Sequence, residues 1–357
     1  MTHIDSSKPV CVTGASGYIA SWIVNYLLEE GFTVHATVRN PDNAKSVAHL
    51  KKAAEGTTGT LKLFAADLLK QDSFKPAIEG CELVIHTASP FIIKGFKDAN
   101  EALVKPAVEG TANVLYSCNE VSTVKRVVLT SSVASVFGDN SEIQTTKDGI
   151  FDEQNWNNTS SESHQPYSYS KVAAERKAWE IHDQQPKSSH RWDLVTINPA
   201  LVMGPSLTKQ SQSTSITVMQ DLGSGKQMTG VPDLEFGLVD VRDVARAHIS
   251  AGLTPEAQGR YIVCEGTYSL MDMATKLKKQ FPKYPLPKMQ LPKAIIWLVA
   301  PIVAGVTRKF VSQNVGYSIF FDNTRSRQTL GVQYRPIEDT LTQHFQQMID
   351  DGLLKKR

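Results

Sequence analysis

Cysteine is scarce in this chain: four among 357 residues, at Cys11, Cys81, Cys118 and Cys264, with no CxxC pair. Such spacing excludes a zinc site or a disulfide framework and reads as small buried hydrophobes in a reducing, cytoplasmic setting. Excess charge of one sign is also missing, since 38 Lys and Arg face 36 Asp and Glu for a net charge of +2. A nucleic-acid-binding surface needs clustered basic charge, so no nucleic-acid partner is expected. The opening MTHIDSSKP is polar and lacks the apolar run of a signal peptide. No apolar stretch reaches the roughly 20 residues that span a bilayer. The longest, Ala294–Val306 (AIIWLVAPIVAGV), stops at thirteen and contains Pro301. It reads as a sheltered helix, buried or facing a second copy in a homodimer. Its basic flanks, Lys293, Arg308 and Lys309, leave a membrane-surface helix as the minority alternative.

What is present is ordinary globular composition, with 41% apolar and 21% charged residues. The length suits about two domains and a core that needs no disulfide or metal. Short β-rich runs alternate with helical patterns through the first half. Strands are expected at Pro9–Thr13, Thr33–Val38, Leu61–Ala65, Leu83–His86, Arg126–Thr130 and Asp193–Ile197. Helices are expected at Gly17–Glu30, Ala44–Ala54, near Asp72–Ile78, from Asn100 to Asn119, and at Tyr167–Asp183. Such alternation indicates βαβ units around a parallel sheet buried on both faces. Gly138 to Gln165 is polar and reads as a long surface excursion, and beyond Pro199 the alternation breaks down. The expected fold is α/β, a Rossmann-type doubly wound parallel sheet. Residues 1–200 would bind a dinucleotide, and 201–357 would form mainly a smaller substrate-binding lobe with parts returning to the sheet.

The first strand runs directly into Thr13-Gly14-Ala15-Ser16-Gly17-Tyr18-Ile19-Ala20. Two glycines three apart allow a tight strand-to-helix turn whose backbone amides can approach a pyrophosphate at the positive end of a helix. The bland reading is a plain βα loop; an apolar strand before it and an amphipathic helix after it favour the dinucleotide. An NAD site places Asp or Glu at the end of the second strand, to bind the ribose 2′-hydroxyl. Here Val38-Arg39-Asn40 stands there, with Lys45 six residues beyond Arg39. A guanidinium grips a 2′-phosphate where a carboxylate would repel it, so NADP(H) is expected unless Arg39 is only a solvated charge. Asp67, just after the third strand, could meet the adenine amino group or cap the next helix.

Tyr167 and Lys171 are four apart at the start of a helical segment and share a face. An ammonium held near a phenol, beside an oxidised nicotinamide, lowers its pKa toward working pH, which suits Tyr167 as a general acid for a carbonyl oxygen. Tyr169 is out of register with Lys171 and suits packing or pocket lining. Ser131 and Ser132 follow Thr130 at the end of the fifth strand, where ligands bind in parallel sheets; their alternative is turn formation.

The ordered motifs VTGASGYIAS (within Val10–Ser21), HATVRNP (His35–Pro41) and HTASP (His86–Pro90) resemble the extended short-chain dehydrogenase/reductase family. So do TSSVASV (Thr130–Val136), FDEQNW (Phe151–Trp156), YSYSK (Tyr167–Lys171), NPALVMGP (Asn198–Pro205) and GRYIV (Gly259–Val263). The likeness runs from Val10 to about Leu354 and is nearest the dihydroflavonol reductase and cinnamoyl-CoA reductase-like branch. The resemblance implies Ser132 as the carbonyl-binding serine, Tyr167 as proton donor and Lys171 as the lysine that tunes it and holds the nicotinamide ribose. It implies Thr13, Gly14, Ser16, Gly17, Tyr18, Ile19, Arg39, Lys45, Asp67 and Leu68 at the adenosine and phosphate end. Thr87, Ala88, Ser89, Thr130, Pro199, Ala200 and Val202 would line the nicotinamide end.

Ser89, Phe91, Ser132, Phe137, Tyr169 and Met203 are the candidate substrate contacts, and the stretch from Pro205 to Thr229 is a candidate lid. No metal is implied. Phe137 stands where plant flavonoid reductases carry Asn, and HQPYSYSK replaces the NWYC stretch of cinnamoyl-CoA reductases. These departures turn the expectation toward the aldehyde and ketone reductases of the branch, acting on a small-molecule carbonyl. The alternatives on the same fold are a nucleotide-sugar epimerase or dehydratase, a 3β-hydroxysteroid dehydrogenase-like enzyme and a non-catalytic cofactor sensor.

Overall fold

β-branched side chains that alternate between two faces need a cover on each side, and this chain supplies one from the helices between its strands. The computed structural model describes residues 1–89, 98–186, 190–208 and 214–355. β1 (Val10–Thr13) leads to α1 (Tyr18–Glu29), β2 (Thr33–Val38) to α2 (Ala44–Ala54), and β3 (Thr60–Ala65) to the short α3 (Lys75–Ile78). β4 (Leu83–His86) is followed by a π-helical turn at Asn100–Val104 that continues into α4 (Lys105–Glu120). Then come β5 (Arg126–Thr130), α5 (Pro166–Asp183), β6 (Asp193–Pro199), β7 (Leu201–Met203), α6 (Thr214–Gly223), β8 (Val231–Pro232) and β9 (Glu235–Asp240). After α7 (Val241–Leu253), β10 (Gly259–Val263), β11 (Gly266–Ser269) and α8 (Leu270–Gln280), the chain enters β12 (Gln290–Leu291) and α9 (Lys293–Val303). It ends with α10 (Arg308–Asn314), α11 (Thr324–Gln328) and α12 (Ile337–Asp350).

Seven strands form one parallel sheet in the order β10-β6-β5-β4-β1-β2-β3. The strand order reverses between β1 and β4, and at such a switch point a crevice opens beyond the strands' carboxyl ends. Val10 and Val12 of β1 face one core with α1 and α7, while Cys11 between them faces the other with α3, α4 and α5. All four cysteines are buried and free, as their scarcity suggested. Arg126, fully buried at the start of β5, donates to the carbonyls of Ala251 (3.1 Å), Thr254 (2.5 Å) and Pro255 (3.2 Å). A cation thus closes the carboxyl end of α7, where helical carbonyls lack partners. β7, β9 and β11 form a small second sheet, and a separate core joins Met203, Met219, Leu222, Leu277 and Phe345.

Two expectations are corrected. The polar stretch from Gly138 to Gln165 is not a surface excursion, because Asp139, Asn140, Phe151, Glu153, Asn157 and His164 are buried. Its polar groups satisfy one another there: His164 Nε2 lies 2.7 Å from Asp139 Oδ2, and Asn314 Nδ2 donates to Asp139 Oδ1 at 2.6 Å. The apolar segment around α9 is not sheltered within the chain, where only Ile296 of that helix is buried. No helix among the described residues is long and apolar enough to cross a membrane.

Candidate active site

The crevice at the switch point is shaped by a glycine that no other residue could replace. Gly14 has φ of +63°, and a Cβ there would lie 2.9 Å from the Ala88 Cα. Its amide is steadied by Thr37 Oγ1 at 3.2 Å. The Thr13 hydroxyl accepts the Thr87 and Ala88 amides at 3.1 Å each and lies 2.8 Å from His86 Nδ1, so the ends of β1 and β4 are tied together. Burial, with the Lys171 charge adding to it, pushes His86 down to about 3, and its Nε2 finds no partner among the described residues. Gly17 is the N-cap of α1; it offers no side-chain cap, and the first turn has no acid, so anion-binding amides stay available. Ser16, Gly17 and Ile19 lie on this loop and first turn. The Tyr18 hydroxyl is spent elsewhere, donating to Gly204 O at 2.5 Å, which leaves only its backbone for a phosphate.

Arg39 directly follows β2 and is exposed, with no ion pair among the described residues, and Lys45 is exposed in the first turn of α2. No carboxylate occupies that strand end. The loop, the helix terminus and the free guanidinium fit a dinucleotide carrying a 2′-phosphate. Asp67 caps neither α3 nor any other helix; Oδ1 accepts the Leu69 amide at 2.9 Å within a turn. Leu68 packs against Gly110 of α4.

At the other end of the crevice, helix α5 lies against the turn that begins at Ser132. Ser132 caps the short 3₁₀ helix Val133–Ser135, with Oγ accepting the Ala134 amide at 3.1 Å, so its hydroxyl proton remains available to a ligand. Lys171 Nζ reaches Thr130 O at 3.5 Å, and Ala88, Ser89, Thr130, Ser131, Lys171 and Glu175 line one narrow cleft. The Thr130 hydroxyl sits 2.7 Å from His248 Nε2, and burial lowers that imidazole to about 4. Burial also lowers Lys171 to about 8, against the opposing pull of the Glu175 charge. Burial pushes the Tyr167 phenol up to about 12.

The residue that sequence reasoning missed is Glu175, one turn beyond Lys171 and fully buried. Its Oε1 accepts Arg260 Nε at 2.7 Å and Thr196 Oγ1 at 3.2 Å. Its Oε2 accepts Ser131 Oγ at 2.5 Å and Asn198 Nδ2 at 2.9 Å. Asn198 Nδ2 is also within 3.2 Å of Ser132 O, and Arg260 donates to the carbonyls of Glu153 (2.9 Å) and Asn155 (2.6 Å). The only signal available in advance was spacing, since positions 167, 171 and 175 share one helical face.

Other candidates fall differently. Pro199 and Ala200 are buried and Val202 half-buried where β6 passes into β7, with the Ala200 amide on Val263 O at 3.0 Å. Met203 does not line a pocket: it is fully buried in the lobe core. The stretch expected as a lid, Pro205 to Thr229, contains α6, whose Met219, Leu222 and Gly223 pack into the same core, while residues 209–213 lie outside the described residues. Phe137 is half-buried and stacks on Phe151, ring centroids 4.5 Å apart. Tyr169 is half-buried and Ser89 exposed, while Phe91 lies outside the described residues.

The family model for the NAD dependent epimerase/dehydratase family matches residues 10–264. The chain belongs to this family, the extended short-chain dehydrogenases/reductases, and is an NADP-dependent oxidoreductase. It is 40% identical over 290 residues to cinnamoyl-CoA reductase CAD2 of Medicago truncatula, covering 81% of this chain and 85% of that one. It is 36% identical over 358 residues to tetraketide alpha-pyrone reductase 1 of Arabidopsis thaliana, covering 98% of each. Among solved structures it is similar to yeast methylglyoxal/isovaleraldehyde reductase Gre2 complexed with NADPH, with a TM-score of 0.78 and 28% identity. That match covers 96% of this chain and 99% of the yeast one.

Replacing Glu175 by Gln keeps its shape and removes its charge. Lys171 then loses the anion that opposes burial, and its amine should titrate lower still. The alkaline limb of the pH profile for NADPH oxidation should move down with it. Stability should fall by about 3 kcal/mol, because the buried Arg260 loses its anion. Thermal unfolding and a pH profile identical to the wild type would show that the carboxylate holds neither group.

Proposed function

We propose that the chain is an NADPH-dependent carbonyl reductase acting on aldehydes or ketones, with Tyr167 as proton donor, Lys171 beside it and Ser132 holding the carbonyl oxygen. The observation that carries this reading is the convergence of α5 on the carboxyl end of β5. Lys171 stands at Thr130 O, and Ser132 keeps its hydroxyl proton at the same strand end. When bound, NADPH supplies a hydride to the carbonyl carbon. The Ser132 hydroxyl donates to the carbonyl oxygen and orients it. Tyr167 keeps its proton at neutral pH because burial holds the phenol near 12, and it gives that proton to the oxygen as charge develops there. Lys171, positive below about 8, stabilises the phenolate that remains. Arg39 and Lys45 would hold the 2′-phosphate, with the Gly14–Gly17 loop on the pyrophosphate. The reductase names of the relatives support reduction, and the yeast neighbour's aldehyde substrates support the class. An epimerase that retains NAD is disfavoured by Arg39, which stands where a ribose diol needs a carboxylate.

The direct experiment is NADPH consumption against a panel of aldehydes, diketones, dihydroflavonols and acyl-CoA thioesters. With a substrate in hand, Tyr167→Phe should retain NADPH binding and lose roughly 10²–10⁴-fold in kcat. Ser132→Ala should lower kcat strongly. Turnover by Tyr167→Phe within threefold of wild type would contradict the mechanism.

For the cofactor, kcat/KM should favour NADPH over NADH by at least tenfold, a difference of only about 1.4 kcal/mol. Arg39→Asp should erase or invert that preference with little change in kcat for the preferred cofactor. Equal use of both cofactors by the wild type would reduce Arg39 to a surface charge.

A further inference from the structure

Helix α9 presents its apolar side to solvent. Ile295, Leu298, Val299, Ile302 and Val303 recur at i, i+3, i+4, i+7 and i+8, the spacing of one helical face. That face normally meets a core, yet Leu298 is 57%, Ile302 87% and Val303 81% exposed. The opposite side is anchored by Ile296 in a small cluster with Val311 and Val315, apart from the main cores. Trp297 lies at the margin under Arg308, 4.6 Å from its ring.

Charge around the face is one-sided. Residues 273–321 hold eight cations, Lys276 through Lys309, and no Asp or Glu, in a chain whose whole net charge is +2. Lys288 and Lys293 precede or open α9 and Arg308 and Lys309 follow it, all exposed, with the Lys293 ammonium donating to Ser312 O at 2.9 Å and lying over the Tyr317 ring. Acids from other elements meet this stretch at Asn314, which donates to Asp139, at Ser318, which donates to Glu235, and at Lys276 and Lys279 of α8, which pair with Glu338 of α12. Among the described residues the cations around α9 are thus left without an ion pair. At eleven residues the helix is about 16 Å long, far short of a span, and Pro301 lies inside it.

We propose that the outward face of α9, framed by Lys288, Lys293, Arg308 and Lys309, docks on an anionic membrane surface with the helix lying in the interfacial plane. Apolar side chains would enter the headgroup boundary while the cations meet lipid phosphates and carboxylates. A second copy fits less well. A two-fold interface sets a patch against itself, so the basic frame would face the same basic frame with no acid inside it.

The test is co-sedimentation of the purified full chain with phosphatidylcholine vesicles, with and without phosphatidylserine, at about 0.15 M salt. Binding should be at least tenfold stronger to the anionic vesicles, and should fall at high salt. Ile302→Asp with Val303→Asp should abolish it, and Arg308→Glu with Lys309→Glu should remove the preference for anionic lipid. The Ile302→Asp, Val303→Asp variant should keep the wild-type unfolding temperature, because those side chains are exposed, and the Arg308→Glu, Lys309→Glu variant should lose only the small contribution of the Arg308 contact with Trp297. Failure of the wild type to pellet, equal pelleting on neutral vesicles, or binding that survives both double variants would each overturn the proposal. A dimer that dissociates in the Ile302→Asp, Val303→Asp variant, with no vesicle binding by the wild type, would assign the face to a second copy.

Discussion

One buried carboxylate organises the α5 end of the crevice. Glu175 gathers Arg260 from β10, Thr196 and Asn198 from β6, and Ser131 from the end of β5, all from a position one turn beyond Lys171. Burying a charge costs several kcal/mol unless its hydrogen-bonding capacity is filled, and here four donors fill it. The arrangement fixes three strands and one helix to a common point below the crevice. Ser131 is consumed by this role, while its neighbour Ser132 points to the turn and keeps a proton to give. Arg260 extends the node to the carbonyls of Glu153 and Asn155 and lies 3.9 Å from the Trp156 ring, so the segment before α5 is clamped as well.

The same node explains why motifs far apart in the chain belong together. The FDEQNW, YSYSK and GRYIV stretches meet through Glu153, Glu175 and Arg260, with Glu153 Oε1 accepting the Ile262 amide at 3.0 Å. At the cofactor end the logic is steric. Gly14 lets β1 turn beneath Ala88, the Thr13 hydroxyl locks the two strand ends together, and the bare N-terminus of α1 faces the space so formed.

Much of this was legible in the sequence because the signals are local. β2, α2, β4 and β5 fall on the expected residues: each is an apolar or amphipathic run bounded by turn formers, and period decides its type. The glycine loop and the Tyr167–Lys171 face were legible for the same reason. What stayed hidden depends on distant partners. Glu175 and Arg260 are 85 positions apart, and nothing in either neighbourhood marks the pairing. The stretch from Gly138 to Gln165 looked solvent-bound because it is polar, yet its polar groups satisfy one another in the interior. Met203 was a candidate substrate contact within the NPALVMGP motif, and only the packing around it shows that its side chain is spent on the core. The α9 segment differs in the opposite sense: its apolar pattern implied shelter, and within the chain only Ile296 finds it.

In the proposed reaction a carbonyl carbon receives hydride from NADPH at this site. The most direct measurement uses NADPH deuterated at the transferring C4 position with a carbonyl that the enzyme consumes, followed by mass spectrometry of the alcohol. The account expects one deuterium, carbon-bound at the carbinol position and not exchangeable with water. Product without that deuterium would contradict it. So would a protein that leaves NADPH unconsumed and releases tightly held NAD on denaturation, which would return the chain to the epimerase side of its family.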